Sequence, residues 1–176
     1  LNLNLIKLIM IRFILIIFLT IISNNLFAAA LNNIGEKGKL SEVSRTITIK
    51  MYDNYYKPAQ INVKKNETIK FIILNLGELV HEFNIATKEM HLKHQPEMMM
   101  LVENEILLPN RVDMNKMKEM AKTNKHLEHS HSNSVLVSPS EKGELIWKFS
   151  NKVKIEVACN VPGHYEVGMI AAIDNK

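Results

Sequence analysis

An all-β sandwich of about seven to eight short strands, interrupted by a partly helical insertion, is the fold this 176-residue sequence predicts. Short alternating or β-branched runs, separated by turn residues, recur from Arg45 to Ile85 and again from Ser134 to Asp174. Between them, residues 87–133 lose that pattern and fill with Met, Glu, Lys and His. A chain of fewer than about 200 residues also argues for one domain rather than several.

Taken in order, residues 1–30 read as an export signal. Arg12 supplies the basic start, Phe13 to Ile22 the apolar core, and Ala28 and Ala30 the small residues before a cleavage point. Such a short apolar run covers only about half the hydrocarbon core of a bilayer, which argues against an anchor. Translation is expected to start at Met10. Residues 31–44 mix Asn, Gly, Glu, Lys and Ser without a period and predict a flexible lead-in to a domain at 45–176. Arg45–Tyr52 and Ala59–Val63 alternate like half-buried strands, and Thr68–Leu74 reads as more fully buried. Asn75–Glu78 breaks the run, and Leu79–Ile85 resumes it. In the insertion, Met114, Met117 and Met120 recur at i, i+3 and i+6, as on one helical face. Strand signals return at Ser134–Val137, Gly143–Phe149, Val153–Ala158 and Met169–Asp174.

Composition narrows the function. The net charge is +4, and without Lys7 and Arg12 of the leader the excess falls to +2, too small for nucleic-acid binding to lead. Six Gly, five Pro and one Cys exclude collagen-like, low-complexity and disulfide-stapled classes. In an oxidising export compartment a lone cysteine has no disulfide partner within the chain and needs another reason to be there. Ten Met and seven His point to soft-metal chemistry.

Cys159, His164 and Met169 stand on one loop with spacing C-x4-H-x4-M, between two strand signals. A thiolate, an imidazole and a thioether, joined by a second imidazole, make a His₂Cys set with a weak axial Met, which suits electron transfer by copper. Pro162-Gly163 permits the tight path that returns His164 toward the ion. His81, at the entrance of a strand, is the best second imidazole. Singly, each residue has a plainer role as buried thiol, core methionine or structural histidine. Together, in this order, they predict a metal site. Cys159 as a nucleophile with His164 as base has no accompanying oxyanion motif and leaves Met169 without a role, so no catalytic residues and no enzyme are expected. A single cysteine rules out a dinuclear centre bridged by two, and the thioether makes zinc a poor match.

Val-His-Glu-Phe at 80–83 with Ala-Cys-Asn-Val-Pro-Gly-His-Tyr-Glu-Val-Gly-Met at 158–169 resembles the cupredoxins, the blue or green type 1 copper proteins. More narrowly, the chain resembles periplasmic copper-tolerance cupredoxins, which carry a Met/His-rich insertion at this place. The resemblance implies a Greek-key sandwich and one type 1 copper held by His81, Cys159, His164 and Met169. It further implies a periplasmic protein that transfers single electrons, handles copper, or both. An alternative is copper sequestration, with electron transfer secondary. Plastocyanin-like members often carry an Asn after the first His that braces the Cys loop; Glu82 stands there instead, which bears on potential and colour. Within the insertion, Met90, His91, His94, Met98, His126, His129 and His131 offer either a second copper site or an amphipathic lid with a solvated His tail. His91 and His94, at i and i+3, are the pair placed to share an ion from one helical turn. Exported redox proteins meeting a small patch at Val161, Pro162 and His164 are the expected partners, with no nucleic acid, no membrane after cleavage, and a monomeric state.

Overall fold

A computed structural model of the chain describes residues 34–150 and 153–175; the leader, its start at Met10 and residues 31–33 lie outside them. The strands before the insertion are β1 (Gly35–Lys37), β2 (Arg45–Tyr52), β3 (Tyr55–Lys57), β4 (Gln60–Val63), β5 (Thr68–Asn75) and β6 (His81–Ala86). The insertion holds helix α1 (Lys88–Glu103), the hairpin β7 (Leu107–Leu108) and β8 (Arg111–Val112), and helix α2 (Met114–Ala121). After it come β9 (Ser134–Val137), β10 (Lys142–Phe149), β11 (Glu156–Ala158) and β12 (Ile170–Asn175).

Two five-stranded sheets result, in the orders β1-β10-β5-β2-β3 and β4-β12-β11-β6-β9. Pairing is antiparallel except for β2 with β5 and β4 with β12. The chain alternates between sheets from β4 to β6 and again from β9 to β11. Alternation along each strand sends Ile49, Met51, Ile69, Phe71, Trp147 and Phe149 from one sheet, and Ile61, Phe83, Ile85 and Val157 from the other, into a shared core. Phe71 and Phe83 meet across it with ring centroids 5.2 Å apart. Burying each such side chain is worth about 1.5–3 kcal/mol.

The segment read as a flexible lead-in is structured from Ile34 onward. β1 pairs with β10, Ile34 is fully buried, and its carbonyl accepts the indole N–H of Trp147 at 3.3 Å. Gly35 has φ +134, and a Cβ there would lie 2.2 Å from the Lys148 carbonyl oxygen, so only glycine lets this strand approach. Two further strand expectations shift. Val153–Ile155 precede the strand rather than forming it, and Val80 bonds the Pro109 carbonyl of the insertion instead of a neighbouring strand.

β6 is buried along its whole length because both of its faces are covered. His81, Phe83 and Ile85 point into the sandwich, while Glu82 and Asn84 point to the insertion. Thr87 caps α1 by accepting the Met90 amide, and Asp113 caps α2 by accepting that of Lys116. Met98, Leu101, Ile106, Leu107, Met117, Leu127 and Val80 form a second apolar cluster beneath these helices, with Met100, Met120 and Val161 packed on it. The methionine stripe of α2 therefore serves packing at Met117 and Met120, while Met114 is exposed. Leu101→Ala is expected to lower unfolding free energy by about 2–5 kcal/mol in a urea titration. An unchanged midpoint would mean that the insertion is not packed on the sandwich.

Candidate metal centre

β11 lies between β6 and β12, so the end of β11 sits beside the start of β6. Cys159 follows β11 directly, and the loop to β12 carries His164 and Met169. Backbone bonds pin that loop: the Cys159 amide donates to the Met169 carbonyl at 3.2 Å, and the Met169 amide to the His164 carbonyl at 3.0 Å. Gly163, at φ +89, makes the turn that brings His164 back. Three donor atoms then converge. His81 Nδ1 lies 3.2 Å from His164 Nδ1, and Cys159 Sγ lies 3.4 Å from His164 Nδ1 and 3.9 Å from His81 Nδ1. A trigonal set with metal–N near 2.05 Å and metal–S near 2.3 Å would space its atoms about 3.5–3.8 Å apart, so one small ion fits. Met169 is fully buried, with its backbone bonded to those of Cys159 and His164.

Each donor is prepared for an ion. Asp53 Oδ1 lies 2.8 Å from His81 Nε2; an ionised carboxylate only accepts, so Nε2 carries the proton and Nδ1 is free. Asp53 is itself held by the Glu78 and Leu79 amides, which with His81 keep its carboxyl below the ordinary range although burial opposes this. Burial lowers the pKa of both His81 and His164, favouring the neutral imidazoles a metal needs. Burial pushes the Cys159 thiol up to about 12, so its proton is lost only to a bound cation. Its sulfur accepts the Glu82 amide at 3.3 Å.

The bracing expected of an Asn after the first histidine is done here by the Glu82 carboxylate. Its Oε2 accepts the Asn160 amide at 3.2 Å and the Asn160 side chain at 2.7 Å, which fixes the residue after Cys159. A cupredoxin-like domain model matches residues 13–148 of this sequence. The chain belongs to the cupredoxin family. The match ends before the loop from Cys159 to Met169, so Cys159 and His164 rest on the geometry above and Met169 on its place in the same buried loop.

Among cupredoxin relatives, the copper-resistant cuproprotein CopI of Pseudomonas aeruginosa is 37% identical over 145 residues, covering 79% of this chain and 80% of its own. The protein of that name from Rubrivivax gelatinosus is 27% identical over 140 residues, covering 79% and 71%. A reduced auracyanin from Roseiflexus castenholzii superposes with a TM-score of 0.54 at 17% identity, over 76% of this chain and 98% of its own, and shares the fold.

The insertion's predicted ligands divide. His94, His129 and His131 come together, with ring centroids 5.1–5.3 Å apart, and Glu97 joins them. Burial disfavours charge on His94, but Glu82 and Glu97 push its pKa up to about 10. Burial likewise opposes ionisation of Glu97, yet His131 and His94 hold it at about 2. The other candidates take different places. His91 does not pair with His94: it is fully buried, packed on Tyr165 and bonded at Nδ1 by the Asn160 side chain at 3.1 Å. Met98 belongs to the apolar cluster, His126 is exposed and outside the imidazole group, and Met90 shares a helix face with His94 one turn earlier.

No local sequence pattern marks Asp53, Glu97 or Asn160. Asp53-Asn54 signals a turn only, and nothing local shows that it faces His81. Removing the Asp53 charge should cost copper affinity roughly 10–100-fold in Asp53→Ala, measured by competition with a chelator, with Asp53→Asn losing less. Equal affinities in the variants and the wild type would mean that Asp53 does not orient His81.

Proposed function

We propose that this cupredoxin is an exported copper-resistance protein in which His81, Cys159, His164 and Met169 would hold one type 1 copper, and that it passes single electrons to exported redox partners. The observation that carries this is the convergence of two Nδ1 atoms and one Sγ within 3.9 Å at the end of the sandwich. Copper supplies the one-electron chemistry by cycling between Cu(I) and Cu(II). The residues supply rigidity. Asp53 fixes His81, Glu82 and Asn160 fix Cys159, and the sheet fixes both ends of the loop, so the donors move little between oxidation states. Cys159 is fully buried and its thiol is pushed up to about 12 by that burial, which fits a metal thiolate better than an activated nucleophile.

His164 is the exit. It is partly exposed and lines an apolar groove of about 230 Å³ with Val161, Pro162, Leu79, Leu108 and Pro109. A shallow apolar groove beside a polar edge suits brief encounters of a monomer with its partners. Periplasmic placement is supported by the export signal read in residues 1–30, and no described helix is long and apolar enough to cross a membrane. A second reading, in which copper is stored rather than electrons passed, draws on the imidazole group of the insertion. Cys159→Ser is expected to abolish the thiolate-to-Cu(II) visible band of the purified protein and the copper tolerance of cells that depend on it. Full tolerance with the Ser variant would transfer the function to storage, and a colourless, copper-loaded wild type would remove the type 1 site.

A further inference from the structure

We propose that His94, Glu97, His129 and His131 form a second metal site, three imidazoles and a carboxylate, for a divalent ion of borderline hardness, with Cu(II) favoured. Each residue offers a donor atom, and all four atoms lie within 4.8 Å of one another. A pair facing each other across an ion with bonds near 2.1 Å stands about 4.2 Å apart, so a closure of roughly 0.6 Å completes the site. The frame favours that closure. His94 and Glu97 stand at i and i+3 on α1, one turn of a capped helix. His129 and His131 flank Ser130 on the loop ahead of β9, with His129 in the left-handed region at φ 40. His131 Nε2 already meets Glu97 Oε1 at 2.7 Å, and His94 Nδ1 meets Glu97 Oε2 at 3.3 Å.

The second observation lies behind the donors. Glu82 Oε1 accepts from Nε2 of His94 at 3.0 Å and from Nε2 of His129 at 3.1 Å. Metal-bound histidines usually give their other ring N–H to a carboxylate, which fixes the tautomer and makes the binding nitrogen more basic. Two of the three imidazoles have that arrangement from one fully buried carboxylate, which leaves Nδ1 of each for an ion. A patch of solvated histidines, or a lid held by packing alone, has no use for it. Imidazole nitrogens with one carboxylate suit Cu(II) first and Zn(II) next among divalent ions, and the absence of a thiolate separates this set from the type 1 donors.

The test titrates metal-free mature protein with Cu(II) and follows metal content after desalting, the visible band and the EPR spectrum. Wild type is expected to retain two coppers: one with the visible band, and one with the EPR signal of nitrogen and oxygen ligation. The Glu97→Gln/His131→Ala variant should retain one, with the visible band intact, and His126→Ala, outside the group, should retain two. Each single substitution, a smaller disturbance of the fold, should remove the same copper. A wild type that holds only one copper, or a double variant that still holds two, overturns the proposal. Two coppers in wild type without a visible band, one of them lost in the double variant, would uphold this site while removing the type 1 reading.

Discussion

A carboxylate sealed inside the fold, that of Glu82, sets the terms for everything around it. Burial pushes its pKa up, yet His129 and His94 hold it well below the ordinary range, so it stays charged without water. An ionised carboxylate in that setting costs several kcal/mol unless donors surround it. They come from every direction: Asn84 on the same strand, Ser134 at the start of β9, Asn160 in the metal loop, His94 on α1, and His129 on the loop before β9. Each of these elements is tied to one pair of oxygens. The insertion thus has a polar anchor on the sandwich besides its apolar cluster.

Strand alternation turns that anchor into a link between two chemistries. His81 and Glu82 are neighbours in β6, so one side chain faces the inner donor set while the next faces the insertion. The Glu82 amide bonds Cys159 Sγ while its carboxylate orders two imidazoles of the lid. Hydrogen bonding at the sulfur is one of the levers on a copper potential. A single residue thereby ties the stiffness of the Cys159 loop to the placement of α1.

What could be read from the sequence follows from what is local. The β runs showed because alternation is a short-range signal, and Cys159, His164 and Met169 showed because one loop carries all three. His81 needed only its strand context. β1 did not show: three residues give no period, and what orders them is the buried Trp147 far along the chain. The extent of α1 is hidden as well: its buried residues His91, Met98 and Leu101 share one face, but the exposed Leu92, Met99 and Val102 blur the apolar pattern and Pro96 stands within it. His91 and His94, at i and i+3, are not the pair that meets. His94 finds Glu97 one turn later, because His91 turns inward to Tyr165 and Asn160. Asp53 acts through proximity across strands, which no window of sequence displays.

The insertion also bears on how electrons would leave. The groove at His164 is walled by the metal loop, through Val161 and Pro162, by the insertion, through Val102, Leu107, Leu108 and Pro109, and by Leu79 and Val80 ahead of β6. Val161 packs on the apolar cluster under α1 and α2, so the loop's outer wall leans on the insertion rather than on solvent. A carrier with a bare loop would present Pro162 and the His164 edge alone. Here the rim around His164 is built in part by the same segment whose imidazoles lie against Glu82. The His164 groove, the Cys159 loop and the insertion are therefore parts of one packed unit, and a segment serving only as a loose tail would have no reason to be folded against that loop.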